Sequence, residues 1–167
     1  MANMRRLIGI QYCTTGAFGY SFREDGTEWC NIGCLSLLNP DISVSGSGQE
    51  LWHRDYDRDM TLVPGVRRNF IDQSGYVRGY YTYTGQNKFD ITTENELAHV
   101  EGNDHGWRVF KAGKLVALVH HLPQSERTQF EENGFDMETR FLIDILDTVD
   151  VLFYPYIMAI PVLAFMG

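Results

Sequence analysis

No stretch of this 167-residue chain runs to twenty apolar residues without a break. A membrane-spanning helix needs about that many, so no transmembrane anchor is expected. The nearest candidate, residues 151–166, is interrupted by Pro155 and Pro161 and preceded by Asp144, Asp147 and Asp150. Each of those carboxylates costs roughly 3 kcal/mol in hydrocarbon. Cysteine is scarce: Cys13, Cys30 and Cys34 cannot all pair within one chain and read as reduced thiols. Positive charge is also short, with 14 Lys and Arg against 22 Asp and Glu, a formal net charge of −8. A nucleic-acid partner needs a clustered basic surface and is not expected. The opening MANMRRLIGIQY has an Arg pair, but Leu7 to Ile10 is too short for a signal-peptide core. The expected compartment is the cytoplasm.

What is present suits one globular domain over residues 1–167, with 44% hydrophobic and 22% charged residues. Ten Phe, nine Tyr, three Trp and sixteen Gly favour strands and tight turns over a helical bundle. Strand periodicity runs from about residue 5 to residue 121. Segments such as Phe18–Arg23, Tyr76–Thr84, Lys88–Thr92, Leu97–Glu101, Trp107–Phe110 and Leu115–His121 alternate with polar turns. Asn39-Pro40-Asp41 reads as a turn closing the run from Thr27, and Met60–Val63 as a weak strand. A meander of about ten strands closes or sandwiches, because open edges are a liability.

Residues 123–140 are polar and read as a loop, lid or short helix. From Met137 the pattern turns helical, with Asp136 placed as an N-cap and an apolar arc much wider than that of a surface helix. Pro155 predicts a kink or an end near Tyr154. An apolar helical segment over 137–165 enclosed by a closed antiparallel barrel is the expected architecture.

Asp72-Gln73-Ser74-Gly75 followed by Tyr76-Val77-Arg78, and the later hairpin Lys111-Ala112-Gly113-Lys114-Leu115-Val116-Ala117, give this order of elements a likeness. Over roughly residues 17–160 the chain resembles the tubby C-terminal-like group, which includes the LURP-one-related proteins and the phospholipid scramblases. That resemblance implies a twelve-stranded antiparallel barrel around a hydrophobic C-terminal helix. It also implies a lipid-headgroup or protein partner met through the barrel surface, at the membrane periphery in the former case. Arg67, Arg68, Arg78, Lys111 and Lys114 are the surface candidates for such binding.

Three other constellations bear on chemistry. Asp55, Asp57 and Asp59 alternate, so a strand would present three carboxylates on one face and a loop could wrap them around Ca²⁺. The EF-hand pattern fails, since Met60 stands at the glycine position and Val66 at the closing Glu. Five histidines include no H-E-x-x-H pair, and no G-x-S-x-G elbow is present. Tyr81 and Tyr83 share one strand face, opposite Tyr80, as cross-strand packing residues do. The expectation is a non-catalytic binding module with no required cofactor. Its alternatives are a lipocalin-like carrier of a small apolar ligand and a divalent-metal enzyme using Asp55, Asp57 and Asp59.

Overall fold

The computed structural model describes residues 3–14, 17–36, 39–46, 49–54, 65 and 67–166. Its strands are β1 (Met4–Thr14), β2 (Ala17–Glu24), β3 (Thr27–Ser36), β4 (Asn39–Gly46), β5 (Gln49–Arg54), β6 (Arg67–Ile71) and β7 (Val77–Gly85). They continue as β8 (Lys88–Thr93), β9 (Leu97–Asn103), β10 (Gly106–Lys111), β11 (Lys114–His121), β12 (Gln129–Glu132) and β13 (Phe135–Leu146). A 3₁₀ turn at Val151–Phe153 leads into the helix α1 (Tyr154–Met166).

Neighbours in sequence are neighbours in the sheet from β1 to β11, and β13 pairs with both β11 and β1. Twelve antiparallel strands therefore close into a barrel, with β12 appended to the free end of β13. The closing pair is long, with Met4 opposite Leu146 and Cys13 opposite Asp136. On its outer face Arg6 donates Nε–H to Asp144 Oδ1 (2.7 Å) and Nη2–H to Oδ2 (3.0 Å). Those bonds hold the Asp144 carboxyl below the usual carboxylate range against the opposing effect of its burial.

Alternation sorts the side chains as a half-buried sheet requires. Phe22, Ile32, Val44, Phe70, Tyr81, Phe89, Ile91, Val100 and Val109 point inward and are buried. Tyr81 and Tyr83 face the core, while Tyr80 lies on the outer face beneath the Arg67 guanidinium.

The axis of the barrel is filled by α1. Ile157, Met158, Ala159, Ile160 and Leu163 are all fully buried, so the helix has no polar face. Tyr156 stacks on Trp52 of β5, Met158 Sδ accepts from Cys30 Sγ of β3 (3.0 Å), and the Leu163 carbonyl accepts from Tyr83 Oη of β7 (2.7 Å). Contacts to strands around the wall place the helix at the centre. Among the described residues no helix is long and apolar enough to cross a membrane.

Several boundaries differ from the sequence reading. Residues 137–146 are strand, not the start of a helix, and Asp136 pairs with Cys13 instead of capping. Met137, Phe141, Ile143 and Ile145 sit at even spacing, and a strand buries them together against the core. The same residues also fit a wide helical arc. What decides is the need of β1 for a partner on its second edge. Pro155 opens α1 without breaking it, because the first turn of a helix does not use the missing N–H. Pro161 lies inside the helix, which continues past it to Met166. Asn39 and Pro40 begin β4, with Asn39 opposite Ser36, so they follow the turn and do not form it. Met60–Val63 lies outside the described residues.

Candidate binding surface

The cations singled out from sequence fall on two separate strand pairs. Arg67 lies over the Tyr80 ring, 3.6 Å from its centroid, and Arg68 is buried at 5% exposure. Arg78 Nε donates to Asp72 Oδ2 (2.6 Å). Lys111 pairs with Glu96, and Lys114 opposes Lys111 across the β10–β11 turn. Asp72 owes its position to its own turn: Oδ1 accepts N–H from Ser74 (2.9 Å) and Tyr76 (3.0 Å). Burial works against its charge, yet those bonds and Arg78 hold its carboxyl below the usual range. Asp55, Asp57 and Asp59 lie outside the described residues. Among the described residues no group of three His, Cys, Asp or Glu side chains could hold a metal ion. Burial pushes the Cys30 thiol up to about 12, where it is no nucleophile.

A constellation that the sequence reading missed lies on the outer wall of β8, β9 and β10. Register places Asp90 opposite His99 and His99 opposite Phe110, so three strands present these side chains in one row. Along β9 the period of two adds Leu97 and Glu101 to the same face. Together with Ala112 and Gly113 they line an open groove of about 510 Å³. His99 Nδ1 lies 2.7 Å from Asp90 Oδ1 and Nε2 lies 3.2 Å from Glu101 Oε1, so the ring donates to both carboxylates when it is protonated. The Asp90 hydrogen bond is the largest cause that raises the imidazole above its ordinary value; partial burial opposes it and Glu101 reinforces it. The stability this pairing contributes is complete below the ordinary histidine pKa and is lost as pH rises through the raised folded value. An NMR titration of the His99 ring should therefore show a midpoint above about 6.5. In Asp90→Asn the midpoint should move back down, and an unchanged midpoint would show that Asp90 is not the cause.

A second concavity of about 240 Å³ lies between the barrel wall and the β12–β13 hairpin. Its polar groups answer one another. Ser21 Oγ donates to Glu28 Oε2 (2.5 Å) and accepts from Arg23 Nε (2.9 Å), and Arg23 Nη1 bonds Glu132 (2.9 Å). The network pins the hairpin to the wall.

The third feature is the distribution of exposed apolar groups. Strands alternate in direction, so β1 starts, and β2, β6, β8 and β10 turn, at the mouth through which α1 enters. Of the ten large apolar side chains exposed among the described residues, all but Ile8 and Phe130 lie at this upper mouth. Leu152 (78%), Tyr76 (70%) and Leu97 (62%) are the most exposed of them.

No family model matches the chain, and no curated protein or solved structure matches it either.

Proposed function

We propose that this protein is a non-catalytic binding module that meets a protein partner on the outside of its barrel. The observation that carries the reading is the filled axis. A carrier of the lipocalin type holds its ligand where α1 here packs Ile157, Met158 and Ile160 against the wall. Binding then falls to the outer surface, and that surface offers apolar groups among cations that are largely paired with carboxylates. Headgroup recognition asks for free, convergent cations, whereas Arg78 and Lys111 are committed to carboxylates and Arg68 is buried. The likeness to the tubby C-terminal-like group, carried by the Asp72–Gly75 turn and the order of elements, is in keeping with a surface-binding role.

Flotation with vesicles of phosphatidylcholine alone and of phosphatidylcholine with phosphatidylserine, each with and without Ca²⁺, tests the choice of partner. The protein is expected to stay at the bottom of every gradient. Flotation with the anionic vesicles alone, reversed by salt, would replace the protein partner with a lipid headgroup.

A further inference from the structure

We infer that the upper mouth and the adjoining groove on β8–β10 form the docking surface for a basic, amphipathic segment of a partner protein. The inference rests on the outside-binding reading above and names its place and its partner.

Single exposed apolar residues are ordinary, but their gathering at one mouth is not. These side chains are also held in place. Asp150 accepts the Leu152 N–H on its side chain (3.0 Å) and the Phe153 N–H on its carbonyl (2.9 Å), while Phe153 is buried. Val151 and Leu152 are thus kept outward by a capped turn. Tyr76 is held by Asp72 in the same manner, and Leu97 follows a turn closed by Thr93 N–H to the Glu96 carbonyl (2.8 Å). A surface presented by fixed turns is already arranged for binding, which lowers the ordering cost of association.

Charge selects the occupant. Arg5, Arg78 and Lys111 at the mouth are neutralised by Glu24, Asp72 and Glu96. Lys114 then stands against Asp25, Glu94, Asp147 and Asp150, none of which joins an ion pair among the described residues. The remaining field is negative. It repels an anionic membrane and a second copy of the same mouth, and it attracts a cationic segment. The groove adds an apolar wall of Leu97 and Phe110 beside the mouth, while its carboxylates Asp90 and Glu101 are held by His99 and, for Glu101, also by Arg108.

The probe is a synthetic amphipathic helix of Leu on one face and Lys on the other, with a Leu/Glu counterpart, added to the ¹⁵N-labelled full chain. The Leu/Lys peptide should shift the amides of Tyr76, Leu97, Phe110, Leu115 and Leu152, and the Leu/Glu peptide should not. Leu97→Ser and Leu152→Ser should each weaken binding about tenfold, as the loss of one partly buried Leu implies. Phe130→Ser, on the β12–β13 hairpin, should stay within about twofold of the parent. Both Leu positions are exposed, so their variants should melt with the parent. Shifts confined to the wall around Arg67 and Tyr80 would overturn this surface but keep outside binding. Shifts confined to Ile157–Leu163 would overturn both readings. Equal shifts with the two peptides, no shifts with either, or shifts only with phosphatidylcholine vesicles would overturn the basic protein segment as occupant.

Discussion

A chain ending at Asp150 should lose its cooperative thermal transition altogether. Removal of residues 151–167 takes away a helix whose Ile157, Met158, Ile160, Val162 and Leu163 are at most 2% exposed. It also uncovers the inward Phe22, Ile32, Phe70, Tyr81, Phe89 and Ile91, all fully buried in the intact protein. A buried side chain of this size contributes roughly 1.5–3 kcal/mol. Losing the contacts of all these side chains together exceeds the roughly 5–15 kcal/mol by which a domain is stable. The barrel has no route to collapse onto itself, since twelve paired strands fix its circumference. Circular dichroism should show a shallow melt, with binding of a hydrophobic dye at low temperature. A sharp transition within a few degrees of the parent would mean that the sheet, and not the axial helix, carries the core. Ile160→Ala is the gentler version and should cost about 2–5 kcal/mol.

Gly106→Ala should be the most damaging change of a single methyl group. Gly106 has φ 144°, a region that residues with a Cβ avoid, and it lies opposite His120 at the start of β10. A Cβ there would run into the Val119 carbonyl oxygen and stand 3.1 Å from the His120 Cα. Both neighbours are backbone, so relief requires β10 or β11 to move. Strain and overpacking together should cost about 3–5 kcal/mol. At roughly 2–4 °C per kcal/mol for a chain of this length, the Tm should fall by about 6–20 °C. Gly113→Ala is the control. Its φ is 77°, but nothing lies within 4 Å of the added carbon. That variant should lose only about 1 kcal/mol, the conformational part alone. Equal losses at the two positions would show that close approach to β11 is not the reason Gly106 must be glycine.

Local chemistry was the legible part of this protein. The strands from β6 to β11 follow from alternation and from turns such as Lys111-Ala112-Gly113, and the inward Tyr81 and Tyr83 follow from the same period. The closed barrel with an apolar C-terminal helix was also legible, because α1 has no polar face to give to water. The strand at β13 was not. Its apolar residues satisfy both periods, and Asp144, which a helix would place toward solvent, instead bonds Arg6 on β1. The groove was equally hidden. Asp90, His99, Glu101 and Phe110 are unremarkable in sequence and become one surface only through the registers of three strands.

Side-chain period and backbone preference already set which segments seek a strand, where most turns lie, and that the C-terminal segment must be enclosed. That β13 is a strand, that the upper mouth gathers exposed apolar groups, and that His99 sits between two carboxylates is settled only in the closed barrel. These features depend on residues far apart in the chain. Closing the barrel joins Arg6 to Asp144 across 138 residues, and until that closure is made neither the direction of a mouth nor the neighbours of an outer side chain are defined.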